Sequence, residues 1–223
     1  MKIGINLVGV SYNDGTHGRY RNYEDAIDGF ISNVINPLKE EGHTIQYYIF
    51  SYDSIKKNDI IKAYHPVIKS EFTHPTYNTL GGGDKLPNGM KMISVAYINS
   101  LEQLKNEDLD LVISTRFDIN FFKNPFKEYS YDFTKCNFLW REPEFTELPI
   151  VNDTFIVFPH AMTQNLIDSI IEMETNPPYG VGVAMHNLYL PMVNHVGKDK
   201  VQWVYDEFVN AINNDLYKLM RHE

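Results

Sequence analysis

The opening of the chain constrains the fold most, because its first 52 residues predict strand, helix and strand in succession. Lys2 to Val10 is an apolar run interrupted only by glycine and asparagine, which predicts a buried strand. From Ile27 to Leu38 apolar residues recur at helical spacing, with Gly42 as the helix stop and Pro37 expected to kink or shorten the helix end. Thr44 to Tyr52 is rich in β-branched and aromatic residues, as strands are. This unit builds parallel sheets and favours an α/β fold.

The rest of the chain continues the pattern and then becomes mixed. Helices are predicted over 90–104, 162–173 and 183–195, and strands over 111–115, 135–140 and 151–158, with a weaker helix and a short strand near Val67 before them. The segment from Thr73 to Gly89 is rich in glycine and proline, which predicts a long loop and a candidate active-site lid. No repeat or linker divides the sequence, so residues 1–223 are predicted to form a single domain.

Composition excludes several classes of function. The formal net charge is −9 and no Lys/Arg-rich run is present, so nucleic acid is not an expected partner. No stretch approaches the roughly 20 apolar residues that span a bilayer, and no signal-peptide cleavage site follows Met1. Cys136 is the single cysteine, which fits a reducing compartment. We therefore expect a soluble protein of the cytoplasm, or of the host cytoplasm if it is viral, as a monomer or weak homodimer.

The first candidate site follows the predicted strand over 111–115. Arg116, Asp118 and Asn120 come directly after this strand, at alternate positions. Ligands of open α/β sheets bind beyond the carboxyl ends of the strands, and oxygen ligands at alternate positions can reach one Mg²⁺ or Mn²⁺ ion. Asp118 is the stronger ligand, because Asn120 lacks a charge. The alternative is that Asp118 only caps a turn.

A second candidate site follows the opening strand. Val10, Ser11 and Tyr12 offer backbone and an aromatic face to a nucleobase, while Arg19 and Arg21 offer guanidinium forks to a pyrophosphate. In the alternative interpretation, this is a solvated loop whose arginines pair with the acidic residues at positions 24 and 25.

A third candidate site lies near the start of the predicted strand over 151–158. Asp153 could act as general base on an acceptor hydroxyl or hold sugar hydroxyls, and Glu142 upstream is a second candidate for that role. His186 downstream could complete a metal shell. Each of these residues also has a purely structural interpretation, such as a capped turn. The sequence contains no P-loop, no dinucleotide-binding glycine motif, no nucleophile elbow and no zinc-protease motif.

The order of these elements is similar to that of a known family. The segments NPLKEEGH, FSYDS, DLDLVISTRFDINF and NDTFIVFP follow the opening strand in turn, and together they resemble the GT-A fold glycosyltransferases, especially small single-domain enzymes of viruses and bacteria. The resemblance implies a Rossmann-like α/β/α sandwich with a mostly parallel central sheet. It also implies transfer of a sugar from a nucleotide diphosphate sugar such as a UDP-sugar to a glycan or protein-linked sugar acceptor.

The resemblance assigns roles to residues already singled out. An Asp-x-Asp element that binds Mn²⁺ or Mg²⁺ is matched by Asp118 and, imperfectly, by Asn120, so the site would hold metal more weakly or depend on His186. The nucleotide base would lie at the ends of the first two strands, which adds Asp53 to Val10, Ser11 and Tyr12. Two alternatives remain open: a sugar-1-phosphate nucleotidyltransferase, and a non-catalytic nucleotide- or carbohydrate-binding domain of the same fold.

Overall fold

The structure is a computed structural model, and it describes residues 1–15, 20–64, 69–73, 90–141, 149–176, 184–210 and 214–220. Of the candidate lid over 73–89, only Thr73 is described, as the last residue of a strand; residues 74–89, Arg19 and Glu142 lie outside the described residues. Within them, no helix has the length and hydropathy needed to cross a membrane.

Strands and helices alternate from the first helix to the strand at Leu111–Thr115, and the order is mixed before and after that part. The strands are β1 (Lys2–Gly9), β2 (Tyr12–Asn13), β3 (Arg21–Asn22), β4 (Thr44–Tyr52), β5 (Lys69–Thr73), β6 (Leu111–Thr115), β7 (Ile119–Phe121), β8 (Cys136–Phe138), β9 (Phe155–Pro159), β10 (Val201–Trp203) and β11 (Tyr217–Leu219). The helices are α1 (Glu24–Phe30), α2 (Asn36–Glu40), α3 (Lys57–Tyr64), α4 (Met92–Leu104), α5 (Pro125–Glu128), α6 (Thr163–Thr175) and α7 (Tyr189–Val196), with a π-helical turn at Ile31–Ile35 and 3₁₀ turns at His160–Met162, Ala184–Leu188 and Lys198–Lys200.

Among the described residues, seven strands form one sheet in the order β10-β8-β9-β6-β1-β4-β5. The pairs β1–β4, β1–β6, β4–β5 and β8–β10 are parallel, whereas β9 runs antiparallel to both β6 and β8. The chain moves from β1 outward through β4 and β5 and then crosses to β6 on the other side of β1. The sheet therefore has its topological switch point between β1 and β6.

Helices cover both faces of this sheet. Successive side chains of β1 point to the two faces in turn and show what packs on each. Ile3, Ile5 and Leu7 pack with buried residues of α1, the π turn, α2 and α3. On the opposite face Val8 packs with residues of α4, α6 and α7, and Asn6 donates to Ser100 of α4 at 3.1 Å. This is the α/β/α sandwich with a mostly parallel sheet that the sequence predicts.

The helix expected over 27–38 is present but irregular. The π turn over 31–35 directly precedes Pro37, whose missing N–H and bulky ring disfavour a regular α-helical bond to residue 33. The helix ends as expected at Gly42, which has a φ of 83° and donates its N–H to the carbonyl of Lys39 at 3.0 Å.

Two strand predictions need correction. The strand expected over 135–140 is limited to 136–138, and the strand expected over 151–158 begins at Phe155. The reason for the later start is a turn, in which the side-chain oxygen of Asn152 accepts from the backbone N–H of Thr154 at 2.9 Å. The 3₁₀ turn at Ala184–Leu188 likewise replaces the first part of the last predicted helix, which ends at Gly197 as expected.

Candidate functional site

The candidate site lies at the carboxyl ends of β1 and β6. Leu7 of β1 pairs with Thr115 of β6, so the chain leaving each strand enters the same crevice. Gly9 ends β1 with a φ of 105°, a conformation that glycine adopts without steric cost. The crevice coincides with the switch point of the sheet, where open α/β folds bind their ligands.

An arginine and an aspartate leave β6 as a tightly bonded pair. Arg116 donates through Nε to Oδ1 of Asp118 at 2.9 Å and through Nη2 to Oδ2 at 2.8 Å. Phe117, between them, is buried in the core and meets Tyr64 edge-on, with ring centroids 6.1 Å apart. The apolar residue thus anchors the turn, while the two charged residues that flank it form the bidentate pair.

A second arginine reaches the same carboxylate from the hairpin that follows β1. Arg21 of β3 lies with its Nε 3.0 Å from Oδ2 of Asp118. The hairpin is anchored to the strand ends, because Tyr23 donates its N–H to the carbonyl of Ser11 at 2.9 Å and Ser11 donates its own to Oγ of Ser51 at 3.2 Å. Arg21 therefore pairs with Asp118, which argues against the interpretation of a solvated loop.

The turn that carries Asp118 is also fixed by the end of the chain. The N–H of Met220 donates to the backbone carbonyl of Asp118 at 2.7 Å, directly after β11 pairs antiparallel with β7. Asp118 is therefore held through its backbone and both carboxylate oxygens, and its side chain is only 3% exposed.

Burial and charge act in opposite directions on Arg116. Burial lowers the pKa of its guanidinium, but the carboxylates of Asp118 and Asp153 and the bonds to Asp118 outweigh that effect, and the pKa lies above its ordinary value. Arg116 consequently carries its charge at every pH at which the protein is folded. Burial, followed by the charge of Asp153, also raises the pKa of the Tyr97 hydroxyl, which stays protonated.

Asp153 lies at the same edge of the sheet, in the turn before β9. Since Phe155 of β9 pairs with Thr115 of β6, this turn adjoins the end of β6 that carries Arg116. Tyr97 of α4 donates its hydroxyl to the backbone carbonyl of Asp153 at 3.1 Å, which fixes the position of the residue. The side chain of Asp153 is therefore placed where its charge acts on Arg116.

The residues expected to hold a nucleobase line the ends of the first strands. Ser11 is buried and bonded internally, with Oγ of Ser51 donating to its own Oγ at 2.6 Å, so it shapes this edge. Val10 and Tyr12 beside it are partly exposed. Asp53, one residue beyond β4, is exposed and pairs with Lys57 across 3.8 Å. These residues lie at the edge of the sheet that is expected to bind a nucleotide. Their contacts with the nucleotide stay a prediction.

Two of the three expected metal ligands have other contacts in the structure. The amide oxygen of Asn120 lies against Gly29 of α1, where a Cβ atom would collide with it. The chain turns at Phe117 and Asp118 before β7 begins, so the alternation that would place both side chains together is broken. His186 uses Nδ1 to bond the carbonyl of Val151 at 2.8 Å.

The surroundings of Asp118 do not fit a divalent cation. Both carboxylate oxygens already accept from guanidinium groups, and among the described residues no group of three or more His, Cys, Asp or Glu side chains is placed to hold a metal. Two unit charges 4 Å apart near a protein surface attract or repel each other by about 4 kcal/mol. A cation beside Arg21 and Arg116 would therefore be strongly repelled. We derive no step through a metal, and metal dependence stays a prediction.

Sequence reasoning missed two tyrosines that support the site. Tyr97 appears in the sequence only as one apolar position of a helix, and nothing distinguishes it from a core residue. Tyr217 lies in a C-terminal strand that was not predicted, and its hydroxyl accepts from Nδ2 of Asn152 at 3.0 Å and lies 2.7 Å from Oγ1 of Thr154. Both residues hold the turn of Asp153 from elements distant in sequence.

Comparisons with known proteins agree with this architecture. No protein-family model matches the chain, and no curated protein matches its sequence. The chain is similar to the galactosyltransferase LgtC in complex with donor and acceptor sugar analogues, with a TM-score of 0.51, 11% identity, and coverage of 91% of this chain and 73% of that one. An active-site mutant of LgtC gives a TM-score of 0.51 at 11% identity, covering 91% of this chain and 72% of that one. The chain therefore has the GT-A type, Rossmann-like fold that its sequence resembles.

Proposed function

We propose that this protein is a glycosyltransferase that moves a sugar from a nucleotide diphosphate sugar to a hydroxyl of a sugar acceptor. The observation that carries the proposal is the position of the charged cluster of Arg21, Arg116, Asp118 and Asp153 at the switch point of a GT-A type sheet. The complex of LgtC with donor and acceptor sugar analogues supports sugar transfer as the reaction.

The donor would lie along the ends of β1 and β4, with its base near Val10 and Tyr12. Its diphosphate would then point toward the crevice between β1 and β6, since that crevice holds the cationic side chains. A ligand placed in this way brings the anomeric carbon of the sugar toward the β6–β9 side of the crevice. Among the described residues, Asp153 supplies a carboxylate on that side.

The reaction exchanges one bond at the anomeric carbon for another. The acceptor oxygen forms a bond to that carbon, the bond to the diphosphate oxygen breaks, and the electron pair leaves with the nucleoside diphosphate. Asp153 would accept the proton of the acceptor hydroxyl. Its backbone is fixed by Tyr97, so little reorganisation is needed to position the base. Glu142 is the next candidate for this role.

The test is nucleoside diphosphate release from a panel of UDP- and GDP-sugars with simple saccharide acceptors, each assayed in EDTA and with Mn²⁺. We expect release from one donor class that depends on acceptor. A matched pair of variants, Asp153→Asn and Asp108→Asn, separates the site from an exposed carboxylate at the opposite sheet edge. Binding without release would identify a non-catalytic domain, and pyrophosphate release from a nucleoside triphosphate and a sugar 1-phosphate would identify a nucleotidyltransferase.

A further inference from the structure

We propose that Arg21 and Arg116 supply the positive charge that holds the donor diphosphate, in the place where the resemblance implies a divalent cation. This inference rests on the proposed function and deepens it. The resemblance implies carboxylates that gather around a metal ion. The structure instead shows a single carboxylate that contacts two guanidinium groups.

The position of the two arginines comes from the topology of the sheet. Arg116 is the first residue after β6, and Arg21 lies on the hairpin that follows β1. These two strands border the switch point, so one cation reaches the crevice from each side. The arginines are 95 residues apart in sequence, and their shared contact with Asp118 brings them together.

The side chains of both arginines are more exposed than that of their shared partner. The side chain of Arg116 is 21% exposed and that of Arg21 is 11% exposed, against 3% for Asp118. The carboxylate of Asp118 is therefore the most buried of the three side chains.

Arg116 retains donors for a phosphate after binding Asp118. A guanidinium group has five N–H donors, and Asp118 accepts from two of those on Arg116, which leaves three for other acceptors. Planar forks of this kind match phosphate oxygens in a bidentate manner. Two guanidinium groups face the carboxylate of Asp118, and the charge of Asp153 also acts on Arg116.

Asp118 is therefore a positioning residue rather than a metal ligand. It fixes two mobile side chains before the donor arrives, so the charges are already in place when negative charge develops on the leaving diphosphate. The arginines neither gain nor lose a proton in the reaction, and the electron pair of the broken bond stays on the diphosphate oxygen that they contact.

The test is calorimetric binding of UDP, GDP and the nucleosides uridine and guanosine, each in EDTA and with Mn²⁺. We expect one diphosphate to bind in EDTA with a Kd within about threefold of its value with Mn²⁺. Arg116→Gln and Arg21→Gln should each weaken that diphosphate by about 10-fold to 100-fold, the range of a lost charge-assisted hydrogen bond, while leaving the matching nucleoside unchanged. Arg116→Lys, which keeps the charge and loses the fork, should fall between.

Two controls keep the result interpretable. Each single arginine variant leaves Asp118 paired with the other arginine, and its melting temperature shows whether a loss of binding reflects unfolding. Lys2→Gln removes one cation at the opposite edge of the sheet and should leave binding unchanged, since Lys2 pairs there with the exposed Asp108.

The outcomes distinguish this inference from the proposed function. If a diphosphate binds only with Mn²⁺, and both arginine variants keep that dependence while folded, the inference is wrong and the sugar-transfer proposal stands. If no nucleotide binds the folded protein under either condition, both are wrong. Metal-free binding that is insensitive to both arginines would also overturn the inference, because the diphosphate would then be held elsewhere.

Discussion

The two edges of the sheet carry ion pairs of equal length in opposite surroundings. At the amino end of β1, Lys2 lies 2.8 Å from Asp108, whose side chain is 99% exposed. At the carboxyl end of β6, Arg116 lies 2.8 Å from Asp118, whose side chain is 3% exposed. Exposed pairs contribute little to stability, whereas burying charges carries a desolvation cost that needs further bonds to offset it. Of these two pairs, only the one at the carboxyl end of β6 carries this desolvation cost. That end of the strands is where open α/β folds bind their ligands.

The largest expected effect is that of removing the shared carboxylate. Asp118→Ala leaves Arg21 and Arg116 without their common partner, and breaking a buried pair costs about 3–5 kcal/mol. For a chain of this size we expect the melting temperature to fall by roughly 6–20 °C in calorimetry. Asp108→Ala is the matched control at the exposed edge. If the two variants lowered the melting temperature equally, burial would not distinguish the two edges.

Removing the basic group of Asp153 should affect turnover rather than folding. Asp153→Asn keeps size and hydrogen bonding but cannot accept a proton at neutral pH. If Asp153 is the general base, kcat falls by at least about 100-fold, with the melting temperature and nucleotide affinity nearly unchanged. Normal turnover, or a loss explained by unfolding, would show that Asp153 is not the base and would make Glu142 or Glu144 the next candidate.

A smaller effect is expected from the tyrosine that holds the turn of Asp153. Tyr97→Phe removes one buried hydrogen bond and leaves the carbonyl of Asp153 without that donor, at a cost of about 1–3 kcal/mol. We expect a stability loss of this size in urea unfolding, together with a decrease in kcat at unchanged nucleotide affinity. A variant that loses stability with full kcat would assign Tyr97 to the core alone.

The smallest effect is expected at the exposed edge. Lys2→Gln removes one partner of the pair with Asp108, and the hydrogen bond to Lys2 is the main reason why the pKa of Asp108 lies below its ordinary value. A lowered carboxylate pKa contributes stability that is present above the unfolded pKa and is lost as pH falls through the folded pKa, so any effect of the variant belongs to neutral pH and disappears at acidic pH. Melting curves at pH 7 and pH 3 should be nearly superimposable with those of the wild type at each pH. A large shift at pH 7 would contradict the comparison.

The central strands could be predicted because their own residues favour strand structure without contacts from distant parts of the chain. β4 is rich in β-branched and aromatic residues and β6 is a short, mostly apolar run, and the structure gives Thr44–Tyr52 and Leu111–Thr115 as predicted. β9 was predicted to begin too early, since Val151 looks like a strand residue while the side chain of Asn152 forms a turn. β10 and β11 were not predicted, because three-residue strands carry too little periodicity to detect.

The residues of the site could be predicted in part, and their contacts could not. Arg116 and Asp118 were identified because they directly follow a buried strand, and Arg21 because it follows β1. The bond from Arg21 to Asp118 spans 97 positions, and only the folded hairpin brings it about. Asp118 and Asn120 were expected to share a metal because side chains at alternate positions of an extended chain point the same way. The chain turns between β6 and β7, so this pattern does not hold.

The most direct test of the account is a crystal structure of the protein with its nucleoside diphosphate, grown with Mn²⁺ present and measured at the manganese absorption edge. We expect phosphate oxygens at about 2.7–3.2 Å from guanidinium nitrogens of Arg21 and Arg116, with no anomalous peak at the carboxylate of Asp118. A manganese peak on that carboxylate with the two arginines turned away, or a diphosphate bound outside the crevice between β1 and β6, would contradict it.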